Sequence, residues 1–594
     1  MSVLEKNYKR SLIERIINSG INISPDVFNY LLKNEDPFNK IDVLIRESSF
    51  VASFESLLTS DILKKINNHE IKKWFKRFFK EAKNKPEKRS VVSQKIQKKE
   101  INGNFEKKIL HKKSIEKKSH QHNINHKLDA KLQPKPQNVS HRPQMNDKHQ
   151  NQSTNVKSYG SNKSTFRFKA KAKEYPSDYK ILKDPTGKLF TSGEYDDFYQ
   201  LTRSKFTQLA RLMKKRSDAR NSEDIVNIIN KKPSDEITLL GLVTEIHPTK
   251  NGHYFLTIED LTGTINVLIK NDPDYKTYLN LAKNTIQDQM VCVKGIYNEG
   301  KNGRSGIVFA NSFTKIDIPH FSPKNSPDPL SIVLLSDLHI GSREFEPKLW
   351  SRFIKFVNGK VHNQNYREIA GRIKYVVING DLVDGIGVYP EQKNDLIIDD
   401  IYEQFGKAAE LLSQLPDYIQ IFFSSGNHDP VRNAIPRPAV PKKYARDLEI
   451  LGIKCLGNPA TIRTHNVDTL IYHGDSMLDL NLLINELSND DPAKTMKEML
   501  RCRSLAPIFG NKTQIAPTPE DWLVINEVPE IFHTGHIHIN GLSKYRNILL
   551  VNSGCFQAQT EFMKSFGIEP TPGIISLVEL DSLRGMEIDL KKSI

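Results

Sequence analysis

The amino-acid sequence predicts a multidomain protein whose C-terminal α/β domain is preceded by a small β-barrel, a basic disordered linker and a small all-α N-terminal domain. Three observations predict this arrangement. A chain of 594 residues is too long for one compact core. Its positive charge is concentrated in one stretch, and its hydrophobic period changes from helical to strand-like near Ile237. No apolar run reaches the roughly 20 residues of a membrane span. The 4 cysteines form no C-x-x-C pair, so neither a disulfide framework nor a zinc ribbon is expected. Together these features predict a soluble, cytoplasmic protein.

Residues 1–80 are predicted to form the small helical domain. The apolar residues between Leu4 and Ile17 fall largely on one helical face. Ser24-Pro25 is typical of an N-cap followed by proline at the first position of a second helix. The segment 71–79 interleaves tryptophan and phenylalanine with basic residues. Such a face stacks on single-stranded bases or belongs to a core or a partner-docking helix, and we favour the second interpretation.

Residues 81–175 are predicted to be the basic disordered linker. Residues 81–170 contain 22 Lys or Arg and 7 Asp or Glu, so they carry +15 of the formal net charge of +17. Apolar periodicity is almost absent after Leu110, so the stretch buries too little apolar surface to offset the entropy of ordering. It either contacts a phosphate backbone loosely or is only a solvated tether, and the sequence favours neither.

Residues 190–320 are predicted to contain a helical segment, 195–230, followed by five short strands. The strand-like runs are ITLLGLVTEI, HYFLTIED, TGTINVLIK, MVCVKGIY and GIVFANSFTKI, with an Asn251-Gly252 turn between the first two. Five such strands within about 80 residues are typical of a Greek-key barrel of the OB type. These barrels bind single-stranded nucleic acid or serve as structural platforms, and both roles stay open here.

A proline-rich linker leads into residues 328–594, where strand-like and helical runs alternate as in an α/β domain. Five polar clusters follow apolar runs there: SDLHIG, NGDLVDG, GNHDP, HGDS and HTGHIH. Each lies where a buried strand is predicted to end, which is where α/β sheets gather their ligand sites. The candidate site residues are Asp337, His339, Asp381, Asn427, His428, Asp429, His473, His536 and His538.

The chemistry of these side chains indicates a metal site. In D-x-H and H-x-H we expect residues i and i+2 to face the same way on an extended backbone. Imidazole, carboxylate and amide ligands together suit Mn, Fe or Zn. They are too many for one ion and sufficient for two with one bridging carboxylate, the arrangement that serves phosphoryl transfer. A single D-x-H motif is weak support for a metal site, but five polar clusters, each at a predicted strand end, are very unlikely to occur by chance.

The ordered series D-x-H, G-D-x-x-D-G, G-N-H-D, H-G-D and G-H-x-H resembles the calcineurin-like metallophosphoesterase superfamily. The resemblance implies two mixed β-sheets flanked by helices and two divalent ions, with Mn²⁺ favoured and Fe, Zn or Mg as alternatives. One ion would be held by Asp337, His339, Asp381 and His538, and the other by Asp381, Asn427, His473 and His536, with Asp381 bridging. His428 would face the scissile phosphate, and Asp429 would orient His428.

The run GDLVDGIGVYP, preceded by a barrel, resembles the small subunits of the archaeal D-family DNA polymerases, which are B-subunits of replicative polymerases. That resemblance implies a nucleoid-associated 3′→5′ exonuclease acting by two-metal hydrolysis on single-stranded or mismatched DNA 3′ ends. It also implies a heterodimer with a large polymerase subunit. Two alternatives stay open: a catalytically silent scaffold subunit, and a DNA-repair phosphodiesterase. The second is disfavoured because too little chain follows His538 to build that family's capping domain.

Overall fold

The computed structural model describes residues 168–231, 235–300, 306–565 and 567–592, together with the backbone of Asn22–Ile23 and Leu57–Leu58, which pair as parallel two-residue strands. The rest of the predicted all-α domain at 1–80, and the predicted linker up to residue 167, lie outside the described residues. Among the described residues, no helix combines the length and the apolar character that crossing a membrane requires.

The segment just before the barrel packs on the C-terminal domain. Ala172 is fully buried in the short 3-10 turn Lys171–Glu174, and strand β1 (Tyr179–Lys183) pairs antiparallel with a strand of that domain. The sequence predicts that the linker extends to residue 175, whereas the structure shows that the turn Lys171–Glu174 is already packed against the domain. The few apolar contacts here are hard to recognise within a strongly basic stretch. Helices α1 (Tyr195–Met213) and α2 (Ile225–Ile229) follow.

Five strands close into a barrel, and helix α3 (Lys276–Lys283) connects the third strand to the fourth. Around the barrel the order is β2-β3-β4-β6-β5, with antiparallel neighbours except for the parallel pair β4 and β6. Alternate residues of β3 and β4 are buried, which is the period that the sequence predicts. The strands are β2 (Glu236–Pro248), β3 (Tyr254–Glu259), β4 (Thr264–Ile269), β5 (Met290–Asn298) and β6 (Ile307–Lys315).

The C-terminal part contains two six-stranded mixed sheets, and we call it the two-sheet domain. The first sheet has the order β10-β9-β8-β7-β16-β17, and the second has the order β14-β15-β13-β12-β11-β1. The strands are β7 (Ser331–Leu335), β8 (Ile373–Asn379), β9 (Gln420–Ser424), β10 (Lys454–Leu456), β11 (Ala460–Thr464), β12 (Val467–Ile471), β13 (Ile531–Thr534), β14 (Gly541–Tyr545), β15 (Ile548–Asn552), β16 (Ile574–Glu579) and β17 (Arg584–Asp589).

Helices lie between these strands in the chain. They are α4 (Pro347–Val357), α5 (Gln364–Gly371), α6 (Ile401–Leu412), α7 (Lys442–Ile450), α8 (Met477–Leu483), α9 (Pro492–Cys502) and α10 (Glu561–Ser565). The side chain of Asp400 caps α6 by accepting from the backbone N–H groups of Tyr402 and Glu403. An apolar stripe of α4 that includes Trp350 and Phe353 packs on one face of the first sheet.

The two sheets face each other through a shared apolar cluster. Ile332 and Val377 of the first sheet lie in the same buried cluster as Ile471, Ile531 and Val551 of the second. Every residue of β7 and β8 is buried, which is typical of central parallel strands covered on both faces. The neighbouring strands β7, β8 and β9 are parallel to one another, and β12 is parallel to β13. Within each sheet, the polar loops that follow these strands therefore leave at the same edge, which is formed by the carboxyl ends of the strands.

The barrel is joined to the two-sheet domain by a buried ion pair. Nζ of Lys315, the last residue of β6, lies 3.0 Å from Oε1 of Glu498 on α9, and it also donates to the carbonyl of Asn284. Both charged side chains are almost wholly buried. The connecting segment predicted as a linker at 317–329 is packed too, with Ile318 and Ser326 buried.

Candidate metal centre

All seven predicted metal ligands lie in loops at the carboxyl ends of five strands. The loops follow β7, β8 and β9 of the first sheet and β12 and β13 of the second. The structure gathers six of these side chains, together with His428, into three overlapping groups of possible ligands, which are Asp337–His339–His538, His339–Asp381–His428 and Asp381–His473–His536, and Asn427 lies beside His473 of the last group. Residues as distant in the sequence as Asp337 and His538 therefore meet at one edge.

The first group consists of Asp337, His339 and His538. Nε2 of His339 lies 3.1 Å from Nε2 of His538, and Oδ1 of Asp337 lies 3.4 Å from the latter and 3.9 Å from the former. Ligands bound to one ion at about 2.0–2.2 Å are separated from each other by roughly 3–3.5 Å. The three atoms therefore have spacings close to those that one ion requires.

The second group consists of Asp381, Asn427, His473 and His536. Nε2 of His473 lies 3.3 Å from Oδ2 of Asp381, 3.3 Å from Nδ1 of His536 and 3.0 Å from Oδ1 of Asn427. This set supplies one carboxylate, one amide oxygen and two imidazoles, a mixture that suits borderline divalent metals.

Asp381 lies between the two groups. Its Oδ2 is 3.3 Å from Nε2 of His473 and 3.8 Å from Nε2 of His339. Its other oxygen, Oδ1, accepts a hydrogen bond from the backbone N–H of His428 at 2.8 Å. One carboxylate oxygen is thus held facing both groups, which is the position of a bridging ligand.

The polar atoms of the site fit a divalent cation. Oδ1 of Asp337 and Nδ1 of His538 are buried and have no hydrogen-bond partner among the described residues. The two Nε2 atoms of His339 and His538 face each other, and two lone pairs at this distance repel unless a proton or a cation lies between them. Buried carboxylates without partners are costly. A bound ion would satisfy Oδ1 of Asp337 and both Nε2 atoms at once.

Backbone and side-chain acceptors fix which nitrogen of each imidazole faces the site. Nδ1 of His473 donates to the carbonyl of Asn379 at 2.8 Å, since a carbonyl oxygen only accepts, and Nε2 is left as the ligand atom. Nδ1 of His339 is held by Oδ1 of Asp384 at 2.8 Å. Such partners orient metal-binding imidazoles and increase their basicity.

The pKa values report strong coupling within the site. Burial alone would raise the pKa of Asp337, but the imidazole of His538 lowers it to about 2. Burial alone would lower the pKa of His473, but the carboxylate of Asp381 raises it to about 10. Burial lowers the pKa of His536 to about 4. Neighbouring charges therefore favour the ionised carboxylate of Asp337 and the protonated imidazole of His473, and a cation would displace that proton on binding.

The backbone at the ligands is not extended, so one prediction is wrong. Asp337, His339, Asp381, His536 and His538 all have positive φ, between 50° and 69°. Asp337 and His339 reach the same group with both residues in the left-handed conformation, not because a strand alternates, whereas His536 and His538 belong to different groups. This conformation costs about 1–2 kcal/mol for a residue with a Cβ. Asp and His are among the residue types that tolerate it best.

Glycine is required where the loops pass closest to the bridging carboxylate. A Cβ on Gly426 would lie 2.2 Å from Oδ1 of Asp381, and one on Gly380 would lie 2.3 Å from Nδ1 of His473. Gly380 also has a φ of +86°. Both positions therefore exclude any side chain without displacement of a ligand.

The role predicted for Asp429 is wrong in its contacts. Oδ2 of Asp429 accepts from the backbone N–H groups of Gly426 and Asp381, at 2.7 and 3.0 Å, and not from the ring of His428. Nδ1 of His428 instead donates to the backbone carbonyl of Asp384 at 2.7 Å. Asp429 thus ties the loop after β9 to the loop after β8, and it positions Asp381 rather than His428.

No role was predicted for several residues that support the site, although Asp384 and Asp475 belong to the polar clusters of the sequence. Asp384 is visible in the sequence only as part of the G-D-x-x-D-G run, yet it holds His339, and the buried Gln392 donates to both its backbone and its side-chain oxygen. Asp475 forms a buried ion pair with Arg437 at 2.5 Å, beside His473. The spacing of the second aspartate in that run could have indicated Asp384, whereas nothing in the sequence links Arg437 to the site.

Comparison with known proteins places the chain in a family. Residues 332–539 match the family model for the B subunits of DNA polymerases alpha and epsilon. The DNA polymerase II small subunit of Methanothermobacter thermautotrophicus is 37% identical over 411 residues, covering 69% of this chain and 83% of its own. The corresponding protein of Archaeoglobus fulgidus is 37% identical, covering 67% and 78%. That of Pyrococcus horikoshii is 40% identical over 395 residues, covering 66% of this chain.

The match spans 62% of the length of the Pyrococcus horikoshii protein. A solved asparaginyl-tRNA synthetase from the same species is similar over only 18% of this chain and 24% of its own, with 17% identity and a TM-score of 0.16, which is too low to indicate a shared function. This chain covers more than two thirds of the Methanothermobacter and Archaeoglobus proteins at 37% identity, and it therefore belongs to the family of DNA polymerase II small subunits.

Proposed function

We propose that this chain is the small subunit of a heterodimeric DNA polymerase and that it removes nucleotides from DNA 3′ ends by hydrolysing phosphodiester bonds. The two-sheet domain would be a calcineurin-like metallophosphoesterase, and the barrel before it would be an OB fold. The observation that carries the proposal is the pair of ligand groups that share Oδ2 of Asp381. Relatives named as polymerase subunits make DNA the substrate that fits best.

Two divalent ions, with Mn²⁺ favoured, would be held by Asp337, His339, Asp381 and His538 and by Asp381, Asn427, His473 and His536. When bound, they would supply Lewis acidity, an activated water and charge stabilisation for an in-line displacement. The protein's part is to fix the ligands in advance. Asn379 and Asp384 fix the rings of His473 and His339, and Asp429 fixes the loop that carries Asp381.

His428 is the side chain best placed to act on the substrate itself. It belongs to one of the three ligand groups, and its ring lies at 4.6 Å from that of His339. It is also more exposed than the buried ligands Asp337 and His473. Because Nδ1 donates to the carbonyl of Asp384, Nε2 is the nitrogen available to a phosphate oxygen. It would stabilise charge on the phosphate or protonate the leaving 3′ oxygen.

The substrate and partner assignments draw on charge and family. The stretch 81–170, with its charge of +15, would concentrate the enzyme on DNA in a salt-sensitive way. A large polymerase subunit would complete the heterodimer and deliver single-stranded or mismatched 3′ ends. Removal of such ends during synthesis is proofreading.

The direct test is hydrolysis of a 3′-labelled single strand by the purified chain, alone and with the large subunit, in Mn²⁺. We expect release of labelled mononucleotide, and a loss of about 100-fold or more in His428→Ala, since a positioned acid–base group contributes about 10²–10⁴ in rate. The matched control is His362→Ala, which removes an exposed imidazole between α4 and α5.

If the wild-type chain and its complex release no mononucleotide with Mn²⁺, Fe²⁺, Zn²⁺ or Mg²⁺, the exonuclease proposal is wrong. Tight complex formation in the same preparations would then favour the scaffold role. Equal rates for His428→Ala and His362→Ala would reject the role of His428 while leaving the hydrolysis itself intact.

A further inference from the structure

A pocket of about 350 Å³ lies where the barrel, helix α1 and the two-sheet domain come together. Its walls come from the C-terminal end of α1, the segment that follows β6, the end of α9 and the loops next to β13 and β14. None of its lining residues belongs to the loops that carry the metal ligands. Small-molecule sites have volumes of about 300–1,000 Å³. The pocket is therefore large enough for a small organic ligand.

The lining of this pocket combines apolar walls with an excess of positive charge. The apolar walls are formed by Leu212, Ile316, Ile318, Pro319 and Val528. The charged residues are four cations and two carboxylates, namely Lys215, Arg216, Arg503, Arg546, Asp317 and Glu527. The pocket is therefore suited to an anion that also has an apolar part.

Two of these cations already have partners. Nη2 of Arg216 lies 2.6 Å from Oδ2 of Asp218, and Nη2 of Arg546 lies 2.8 Å from Oδ2 of Asp317. The hydroxyl of Tyr545 also donates to Oδ1 of Asp317 at 2.9 Å. The carboxylate of Asp317 is thus engaged by its own neighbours, and it leaves the other cations of the pocket without compensation.

Arg503 is a buried cation with few partners. It is only 2% exposed, yet Nε has no hydrogen-bond partner among the described residues, and Nη2 donates to the backbone carbonyl of Asn526 at 2.6 Å. Charged side chains are almost never fully buried unless they are paired. Burial lowers the pKa of Arg503 to about 10, although Glu527 and Asp317 attract its charge. The guanidinium therefore stays cationic at neutral pH while its charge is incompletely compensated.

Arg437 shows what a completed site for a buried guanidinium looks like. It is also 2% exposed, but it binds both carboxylate oxygens of Asp475, at 3.0 and 2.5 Å. Its other donors bind the carbonyls of Arg432 and Asn433. Burial alone would lower the pKa of Arg437, but Asp475 raises it. Within the described part of the chain, Arg503 has no such oxyanion, and a ligand in the pocket would supply one.

We propose that this pocket binds the phosphate group of a nucleotide, with Arg503 as its buried anchor and Lys215 as a second cation. These are the two lining cations that form no ion pair with a described residue. A phosphate monoester carries a charge of about −1.5 to −2 at pH 7, so it matches two cations, whereas a carboxylate matches one. The apolar walls would contact the sugar and the base.

Glu527 is the group of this chain that competes with such a ligand. It is exposed, it lines the pocket, and its carboxylate attracts the charge of Arg503 without a hydrogen bond to it. Removing its charge should therefore strengthen binding of an anion, whereas removing either cation should weaken it. The phosphate would come from a free mononucleotide or from the 5′ end of a strand, which present the same group.

The test is titration calorimetry of the full-length chain with dAMP in EDTA, so that neither metal nor hydrolysis contributes. We expect Arg503→Gln to weaken binding by about tenfold or more, because hydrogen bonds to charged groups are the strong ones. Lys215→Ala should weaken it by about two- to fivefold, and Glu527→Gln should strengthen it by a similar factor. Lys214→Ala is the matched control, because this exposed neighbour does not line the pocket, and its affinity should equal that of the wild type.

Other probes separate the parts of the ligand. Inorganic phosphate and deoxyadenosine should each bind at least about tenfold more weakly than dAMP, because each uses only the cations or only the apolar walls. Displacement of dAMP by a 5′-phosphorylated single strand would identify the strand end as the source of the phosphate. Binding of dAMP that such a strand does not displace would identify the free nucleotide.

Two results would overturn the proposal. One is an affinity for dAMP that is the same in the wild type, Lys215→Ala and Glu527→Gln, and this comparison holds even if Arg503→Gln does not fold. The other is tighter binding of a tetraglutamate peptide than of dAMP, which would assign the pocket to an acidic peptide. The outcome is independent of the exonuclease proposal, because no step of the measurement requires hydrolysis.

Discussion

The barrel and the metal centre use opposite means to hold their residues. In the barrel, buried apolar side chains such as Leu256, Val267 and Phe313 fill the interior, and no residue other than glycine has positive φ in its five described strands. At the metal centre, carboxylates and imidazoles are buried together and five of seven ligands have left-handed backbone. The barrel contributes stability, whereas the centre costs stability in return for placing ligands, which is common at functional sites.

The largest effect should come from the bridging carboxylate. Asp381→Asn removes the charge that faces both ligand groups, and we expect a loss of about a thousandfold or more in DNA hydrolysis, because metal-ion stabilisation is worth several kcal/mol. Thermal unfolding without metal should shift downward, since the carboxylate is paired with the imidazole of His473 and the fold holds the pKa of Asp381 well below its ordinary value. Full activity in this variant would mean that the two groups do not work as one centre.

The next largest effect should come from adding one methyl group beside that carboxylate. In Gly426→Ala the new Cβ would lie 2.2 Å from Oδ1 of Asp381, so the carboxylate must move. A displacement of about 1 Å costs on the order of 10²-fold in rate. Gly406→Ala is the control, because nothing lies within 4 Å of its Cβ and it lies inside α6. That variant should be as active as the wild type and slightly more stable.

A smaller effect is expected from the residue behind His339. Asp384→Ala removes the acceptor that orients this imidazole, and a loss of such a partner typically costs about 10–100-fold in metal affinity. The measurement is competition for Mn²⁺ or Zn²⁺ with a chelator of known affinity. An affinity equal to that of the wild type would show that His339 is held by packing alone.

The smallest effect on catalysis should come from the barrel core, where the effect on stability is large. Leu256→Ala truncates a fully buried side chain and should lower the free energy of unfolding by about 2–5 kcal/mol. Hydrolysis per folded molecule should stay within about twofold of the wild type, because distant sites are usually independent. A parallel fall in activity would show that the barrel helps to position DNA.

The sequence predicts much of the fold and all seven residues that the structure brings together at the centre. Strand ends are readable because buried runs such as Ile373–Asn379 are followed at once by glycine and aspartate. The alternation of Tyr254–Glu259 and Thr264–Ile269 likewise predicts barrel strands. These features depend on residue type and local period, which the sequence contains directly.

Other features depend on three-dimensional contacts that a single sequence does not contain. The partners of Asp429 are backbone amides of two different loops, and backbone donors carry no sequence signal. Arg437 meets Asp475 only because separate loops come together. The edge strand Tyr179–Lys183 is short and partly basic, so its pairing follows from the neighbouring strand and not from its own pattern.

The buried pair of Lys315 and Glu498 has a consequence for how this chain can be dissected. Replacing either residue by alanine would leave the other charge buried without its partner, a change that typically costs about 3–5 kcal/mol. The two parts should therefore melt in a single transition, and a protease cut in the segment between them should not release either one. Any experiment that expresses one without the other tests a different molecule.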